Sequence, residues 1–398
     1  MAHPQTVILE GSQLAEVRQR LQNGDDPTLQ AAKDVLVSQA NQWLKEGPWS
    51  VMSKKKPPPS GDMHDYTSQA PYWWPSDTPD GSPYVERDGQ KNPEVLNYTD
   101  RVYVEEVFLS SYTLALAWFY TGEEAYSKHA ANIIRTWFIS PETRMNPNLN
   151  HAQLIPIANT GRHIGIIDFS QWYTSVLDAA AILNTGSSTG GPAPGWTEDD
   201  MASFRQWNRK FLSWLVNSPF GQAEHAQKNN HGSFAHMLVA AIALFVGDTE
   251  QVKAEAESIK AHLDETIQPD GALPGELGRT RSWHYSTFTL LALTRLALVV
   301  QKVAVDLWSY KGPQGQGIGK AIEHVIPAAT GSADWAYPEL QFKKYAAADV
   351  IRAAAAAGHE PSKAAVEKLE MPPEGDLWPL RPAPEQLDPV KADVDKAS

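Results

Sequence analysis

The sequence predicts an all-α fold, an (α/α) toroid or incomplete α/α barrel with long aromatic-rich loops. Helical patterns and helix-ending residues follow one another along most of the chain, and the alternation typical of β-strands is nearly absent. Two long stretches, 47–98 and 139–168, lack a helical pattern but are rich in aromatic and polar side chains. Loops of this length within a compact domain are usually functional. We therefore expect antiparallel helix pairs decorated by two functional loops.

Capping residues and apolar spacing predict the individual helices. Asp26 and Pro27 supply an N-cap and a first-turn proline for a helix over 27–45, which ends before Gly47-Pro48. A second helix over 101–121 is opened by Thr99-Asp100 and closed by Gly122. The same criteria predict helices over 12–22, 123–138, 169–184, 198–216, 230–246, 249–267, 281–309, 316–328, 342–357 and 362–370.

The domain organisation follows from the absence of a clear linker between two cores. We expect a single α/α-toroid domain over 1–370 and a proline-rich C-terminal tail over 371–398. A helical protein of several domains is the alternative for a chain of this length. The glycine-rich segment 186–195 is expected to be a flexible connection on the surface.

Composition excludes several classes of function. Lys and Arg total 34 and Asp and Glu total 47 among 398 residues, so the formal net charge is −13. This acidity argues against nucleic acid or a membrane surface as partner, although a local basic cleft remains allowed. No apolar run is long enough to span a bilayer. The absence of cysteine excludes disulfides, thiolate metal sites and cysteine nucleophiles.

Aromatic residues are abundant, with 14 Trp, 13 Tyr and 11 Phe. Such side chains in an acidic protein are common where sugar rings are stacked, although core packing uses them too. No signal peptide is visible, but the glycosylation sequence Asn97-Tyr98-Thr99 hints at secretion. We expect a secreted monomer.

The segment 228–233, Lys-Asn-Asn-His-Gly-Ser, directly precedes a strongly apolar helix. Amide donors and an imidazole at a helix N-terminus lie where the helix dipole favours an anion, and a substrate carboxylate would suit them. Asn230 and His231 are the leading candidates for this contact. The structural alternative is that Asn230 caps the helix and His231 is solvated.

Residues 270–285 form a loop broken by glycine and proline that leads into another helix. Arg279 and Arg281 make one of the few positive clusters in this acidic chain, and Tyr285 follows them. A nearby arginine can lower the pKa of a phenol, which would prepare the tyrosine as a base. The alternative is a buried structural network of tyrosine and arginine.

The two long loops supply further candidates. Tyr72, Trp73 and Trp74 lie between prolines and could form a wall for sugar rings or a hydrophobic plug. The other loop contains His151 and Arg162, which could line a polar cleft together with its amide side chains.

Asp168, at the end of the second long loop, lies just before a predicted helix. We expect it to be the N-cap of that helix.

The sequence lacks the common motifs for binding a metal ion or a cofactor. His225, His231 and His236 lack the i, i+4 spacing of a helical zinc pair, and there is no HExxH motif. Neither a serine elbow nor a phosphate-binding glycine loop is present. We therefore expect no metal site and no cofactor.

Two other classes of function remain open on composition. A glycoside hydrolase on the same fold would need two carboxylates flanking the cleft, for which Asp65, Asp88, Asp270 and Glu276 are available. A non-catalytic sugar-binding protein would instead use the aromatic wall of the first loop.

Four sequence blocks in order cover about residues 60–290. They are HDYTSQAPYWWP with DGSPYVERDGQKNPE, NPNLNHAQ with GRHIGIIDF, NNHGSF, and DGALPGELGRTRSWHY. Together they resemble the alginate-lyase-type superfamily of polysaccharide lyases, and most closely polysaccharide lyase family 38, whose members cleave glucuronan or alginate. The resemblance implies an α/α-toroid catalytic domain, in agreement with the helical pattern, and an anionic polyuronate as partner.

The resemblance also implies roles for single residues. Asn230 and His231 would contact the substrate carboxylate, and Arg279 would help to neutralise it. Tyr285 would be the catalytic base and acid. Arg281 is the alternative to Arg279, because the spacing between arginine and tyrosine differs from that of other alginate lyases. The further candidates for substrate binding are Lys228, Asn229, Arg281, Trp283, His284, Tyr72, Trp73, Trp74, His151, Gln153 and Arg162.

The chemistry of β-elimination fits these residue types. Donors at the C6 carboxylate of a uronate stabilise the enediolate that forms when the C5 proton leaves. In β-1,4-linked glucuronate or mannuronate the C5 hydrogen and the C4 oxygen lie on one ring face, so Tyr285 alone could take and return the proton. Guluronate would need a second group, for which His231 is the candidate. We expect glucuronan to be favoured over mannuronate-rich alginate.

An anionic polymer needs a basic cleft within this acidic surface. The candidates for its positive charges are Arg87, Arg162, Lys228, Arg279 and Arg281.

Overall fold

The computed structural model describes residues 3–24, 26–158 and 160–387. Its helices are α1 (Gly11–Asn23), α2 (Pro27–Trp43), α3 (Thr99–Thr121), α4 (Glu124–Ile134), α5 (Ile167–Ser170), α6 (Tyr173–Thr185), α7 (Glu198–Asn217), α8 (Pro219–His225), α9 (Asn230–Val246), α10 (Thr249–Thr266), α11 (Pro274–Leu277), α12 (Ser282–Gln301), α13 (Ile318–Thr330), α14 (Ala348–Ala356) and α15 (Glu360–Ala365). The strands are short, namely β1 (Thr67–Gln69), β2 (Trp73–Trp74), β3 (Val85–Glu86) and β4 (His151–Leu154).

The helices form an inner and an outer set. α3, α6, α9 and α12 are buried over most of their length, and each packs against the next. α4, α7, α10 and α13 each lie against an inner helix and bury one face. Connections of two residues, such as the one between α3 and α4, make these neighbours antiparallel. The predicted α/α toroid is therefore confirmed.

Some predicted helix boundaries differ from the structure. The helix predicted over 281–309 ends at Gln301, and Ala304 just beyond it adopts a positive φ of 61°. In the helix predicted over 342–357, residues 342–343 are not helical, Lys344–Ala347 form a 3₁₀ turn, and the α-helix begins only at Ala348. The sequence analysis missed α8, a short helix that Ser218 caps through its side chain.

The buried carboxylate of Asp168 attaches both long loops to the helices. It accepts hydrogen bonds from Tyr66 (3.0 Å) and Ser68 (2.6 Å) of the first loop and from Gln153 (2.9 Å) of the second. Its Oδ1 also lies 3.7 Å from Nε of Arg101 on α3. The expected N-cap role of Asp168 is wrong, because the residue lies inside the first turn of α5 and its side chain belongs to this network.

The two loops also pair through their backbones. β1 and β4 form a parallel pair beside the Asp168 carboxylate. A Cβ at Gly165 would lie 2.5 Å from the Cβ of Ala152, so only glycine allows the turn before α5 to approach β4 this closely. Gln153 adopts a φ of 47°, which is uncommon outside glycine, and hydrogen bonds to Ser68 and Asp168 hold it there.

The described part of the predicted C-terminal tail, 371–387, lies against the helices. The Tyr120 hydroxyl donates to the carbonyl of Leu380 (2.6 Å), and the buried Arg295 donates to Pro384 (2.9 Å) and Glu385 (2.9 Å). Residues 388–398 lie outside the described residues, and a domain boundary at 370 stays a prediction.

A buried carboxylate also holds the N-terminal segment. Asp178 on α6 accepts hydrogen bonds from the backbone N–H groups of Val7, Ile8 and Leu9. No described helix is both long and apolar enough to cross a membrane.

We expect Asp168→Ala to lower the free energy of unfolding by about 3–5 kcal/mol, because Arg101 loses its carboxylate partner and three donors lose their acceptor. Urea unfolding followed by tryptophan fluorescence measures the loss. Asp199→Ala, which removes an exposed carboxylate from the first turn of α7, is the control and should cost no more than about 1 kcal/mol. Equal losses in the two variants would contradict the role given to Asp168.

Candidate active site

A cavity of about 490 Å³ opens between the two long loops and the N-termini of α9 and α12. Eleven of the residues that the sequence analysis proposed as catalytic or substrate-binding line it, namely Tyr72, Trp73, Gln153, Arg162, Asn229, Asn230, His231, Arg279, Arg281, His284 and Tyr285. The fold thus brings all four sequence blocks to one place.

The aromatic residues of the first loop divide between the cavity and its surroundings. Tyr72 and Trp73 line the cavity, and the guanidinium of Arg162 lies 5.5 Å from the centroid of the Trp73 ring. Trp74 lies outside the lining, and its indole N–H donates to the carbonyl of Gln90 (2.9 Å) within the loop itself.

Three other predicted substrate contacts also lie outside the lining. Trp283 is 1 % exposed, and its indole donates to a backbone carbonyl after α13, so it packs in the core. His151 lies 3.6 Å from Asp65, and the exposed Lys228 lies 3.2 Å from Glu265. The structure brings none of the three to the cavity.

The N-terminus of α9 presents two polar side chains to the cavity. Asn229 is its N-cap and accepts a hydrogen bond from the His231 N–H (3.1 Å), so the structural alternative, in which Asn230 caps the helix, is wrong. Asn230 is buried, and its backbone N–H (2.6 Å) and side-chain Nδ2 (2.9 Å) both donate to Glu276. An amide nitrogen carries two hydrogens, so Asn230 can also donate one to a ligand.

A glycine allows this helix to start where it does. A Cβ at Gly232 would lie 1.9 Å from the carbonyl oxygen of Gln227, which no other residue type could tolerate.

His231 is held by a buried carboxylate that the sequence analysis missed. Its Nδ1 lies 2.6 Å from Oε1 of Glu224, and the other oxygen of Glu224 lies 2.8 Å from Nδ1 of His163. Burial alone would raise the pKa of Glu224, but the two histidines outweigh it and hold that pKa below its ordinary value. Because Nδ1 faces the carboxylate, Nε2 is the nitrogen of His231 that can act on a ligand.

Tyr285 lies between a second tyrosine and an arginine. Its Oη is 2.6 Å from Oη of Tyr72, and the guanidinium carbon of Arg279 lies 3.8 Å from the centroid of its ring. Asp88 fixes the arginine by accepting from its Nε (3.0 Å) and Nη2 (2.5 Å). Thr280 also donates to Asp88 through its backbone N–H (3.1 Å) and its hydroxyl (3.0 Å), so the first loop is attached directly to the start of α12.

The acid–base state of Tyr285 differs from the sequence-based expectation. Burial raises the pKa of its phenol well above the ordinary value, and the Tyr72 hydroxyl adds to this, whereas Arg279 acts in the opposite direction. The lowered pKa that we expected is therefore wrong for the protein without substrate, because burial outweighs the arginine.

Arg281 and His284 line the cavity but are tied to another loop. Nε of Arg281 lies 3.9 Å from Oε1 of Glu339, whose other oxygen accepts from the backbone N–H of His284 (3.0 Å). The imidazole of His284 stacks on Phe288 with an angle of 16° between the rings.

The charges of the lining explain how an acidic protein can hold an anion. Its cationic side chains are Arg101, Arg162, Arg279, Arg281 and Lys91, and its carboxylates are Glu86, Asp88 and Asp168. Asp88 and Asp168 already bind arginines, so positive charge is in excess. Two residues expected in this basic cleft, Arg87 and Lys228, are outside the lining.

Comparison with known proteins identifies the family. The family model described as alginate lyase matches residues 50–335. No curated protein sequence matches significantly. A crystal structure of an alginate lyase from Bacteroides ovatus is 28% identical, with a TM-score of 0.88 over 96% of this chain and 100% of that one.

More distant structures share the fold. Alginate lyase A1-III from Sphingomonas species A1 is 16% identical, with a TM-score of 0.53 over 89% of this chain and 90% of that one. A variant of alginate lyase A1-III complexed with a tetrasaccharide is 15% identical, with a TM-score of 0.53 over 80% of this chain and 77% of that one. With the family model covering most of the chain and the four sequence blocks meeting in one cavity, the chain belongs to the alginate lyase family of polysaccharide lyases.

Proposed function

We propose that this protein cleaves β-1,4-linked polyuronates by β-elimination, with Tyr285 as both base and acid. The observation that carries the proposal is the position of Tyr285, 2.6 Å from the Tyr72 hydroxyl and beneath the guanidinium of Arg279, in one cavity with Asn230 and His231. Membership of the alginate lyase family supports lyase activity on uronates.

The first step is neutralisation of the substrate carboxylate. Asn230 and His231 lie at the N-terminus of α9, where the helix dipole and side-chain donors both favour an anion. Glu276 and Glu224 hold these two side chains in place. Negative charge moves onto the carboxylate as the C5 proton leaves, so donors fixed in advance stabilise the enediolate more than the substrate.

The second step is proton transfer at Tyr285. Its phenolate would be stabilised by the charge of Arg279, whose guanidinium lies over the ring, and it takes the C5 proton. The same hydroxyl then returns a proton to the C4 oxygen, so that the glycosidic bond breaks and a 4,5-unsaturated uronate remains. Arg279 contacts the Tyr285 ring, which supports Arg279 rather than Arg281 as the arginine that stabilises the phenolate.

In guluronate the proton and the leaving oxygen lie on opposite ring faces. Nε2 of His231 would then take the proton, while Tyr285 serves as the acid. We expect this reaction to be slower than elimination from glucuronate or mannuronate, where one residue serves both steps.

The arrangement argues against a glycoside hydrolase. Such an enzyme needs two carboxylates free to act on the bond. Asp88 is bound to Arg279, and Glu276 is buried beneath Asn230. Asp65 and Asp270 lie outside the lining of the cavity.

The preferred substrate follows from the resemblance to polysaccharide lyase family 38. We propose glucuronan first and mannuronate-rich alginate second, and we propose that the protein is a secreted monomer. Alginate lyases are among the related solved structures, and alginate lyase A1-III has been solved with a bound tetrasaccharide, which supports a polysaccharide as partner.

The substrate test measures the ultraviolet absorbance of 4,5-unsaturated uronate with glucuronan, polymannuronate and polyguluronate separately. We expect a rise with glucuronan or polymannuronate and a smaller one with polyguluronate. A rise chiefly with polyguluronate would overturn the single-tyrosine mechanism. New reducing ends without absorbance would indicate a hydrolase.

Tyr285→Phe should lower kcat about 100- to 10,000-fold, because the general base and acid are lost while the carboxylate contacts remain. Binding of the polymer, measured by calorimetry, should persist. Tyr126→Phe removes a hydroxyl that hydrogen-bonds Asn41 on the far side of the helices, and this control should retain activity. Activity of Tyr285→Phe close to that of the control would disprove the assignment.

Glu224→Gln tests how His231 is held. The glutamine amide can donate to Nδ1 of His231 and so move the ring proton to Nε2, which can then no longer accept a proton. We expect the residual cleavage of polyguluronate to fall by about 100-fold or more, and that of polymannuronate to fall less. Glu265→Gln, an exposed carboxylate on α10, is the matched control. An equal loss on both polymers would show that Glu224 is merely structural.

A further inference from the structure

A cluster of metal-ligand side chains lies outside the cavity lining, at the junction of three helices. His225 ends α8, His236 is on α9 and Glu255 is on α10. One ligand atom from each lies within 4.8 Å of the others. Nε2 of His225 is 2.9 Å, and Nδ1 of His236 is 2.7 Å, from the same oxygen, Oε2 of Glu255.

The surroundings also fit a metal centre. Gln251 donates to Oε1 of Glu255 (3.0 Å), which leaves Oε2 facing the imidazoles. Such outer partners orient the ligands of metal sites. The side chains of His236 and Glu255 are 4% and 6% exposed, whereas that of His225 is 31% exposed, so the cluster opens to water on one side only.

Zinc binding requires the imidazole nitrogens to move slightly away from the Glu255 carboxylate. Zinc binds imidazole nitrogen and carboxylate oxygen at about 2.0–2.2 Å in a tetrahedron, which places neighbouring ligand atoms about 3.3 Å apart. Each imidazole nitrogen must therefore move away from Oε2 of Glu255 by roughly half an ångström. α8 has only seven residues, and His225 at its exposed end can supply this movement.

We propose that His225, His236 and Glu255 bind one Zn²⁺ ion, with water as the fourth ligand on the side of His225. Neutral imidazole and carboxylate are ligands that suit zinc. The expectation of no metal site rested on spacing within one helix, and that criterion does not apply to ligands from three helices. The ion would fasten α8 to α9 and α10, and Glu224, which holds His231, immediately precedes His225. The site is independent of the proposed elimination.

The test measures zinc stoichiometry and affinity in the purified protein. The protein is stripped with a chelator and dialysed against Zn²⁺, and bound zinc is measured by mass spectrometry and by competition with a chelating dye. We expect one equivalent per chain. His225→Asn and Glu255→Gln should each weaken binding by more than about 100-fold, since even the loss of an outer partner costs 10- to 100-fold.

The control variant is His129→Asn, which removes a histidine of α4 whose ring contacts the carbonyl of Glu46. It should keep the affinity of the parent protein. Co²⁺ substitution gives a second readout, because a tetrahedral site produces intense visible absorption. His225 lies at an exposed edge, so its variant should fold even if Glu255→Gln does not. Failure to retain zinc, or retention unchanged in His225→Asn, would overturn the proposal.

Discussion

The carboxylate of Asp168 is the contact on which the cavity depends. Two long loops that contain only short strands must place their polar groups against a helical core, and a buried carboxylate accepts hydrogen bonds from several directions at once. Asp168 accepts from Tyr66, Ser68 and Gln153 and lies beside Arg101. The loops thereby bring Tyr72 and Trp73 over the ends of α9 and α12. Together with the contacts of Asp88 to Arg279 and Thr280, this anchor keeps the Tyr72 hydroxyl beside Tyr285.

The same use of carboxylates recurs around the cavity and explains how an acidic chain can surround a positive site. Each of three carboxylates is hydrogen-bonded to a side chain of the cavity. Glu224 holds His231, Glu276 holds Asn230, and Asp88 holds Arg279. These carboxylates lie behind the residues that line the cavity and hold their side chains in place. The protonated Tyr285 of the free protein fits this scheme, because a buried phenol ionises only when a nearby charge and a donor stabilise its phenolate.

Local patterns made the helices and the start of α9 predictable, since capping and apolar spacing are properties of neighbouring residues. The family resemblance located most residues of the cavity. The sequence could not identify Glu224 or the histidine cluster, because their partners come from different helices and no local motif marks them. Trp283 was misplaced for a related reason. Near the start of a helix that is buried on most sides, the sequence does not show which face meets the cavity and which meets the core.

The packing of residues 371–387 has a consequence for the order of events during synthesis. Arg295 is buried in α12, and part of its hydrogen bonding comes from Pro384 and Glu385, some ninety residues later. The hydroxyl of Tyr120 on α3 likewise donates its hydrogen bond to the carbonyl of Leu380, which is synthesised much later. An emerging chain can form its helix pairs on the ribosome, but these buried polar groups find their partners only when the last of these segments has left the exit tunnel. The toroid therefore reaches its final packing only after most of the chain has been translated. Until then, apolar surface of the incomplete core is exposed and prone to aggregation.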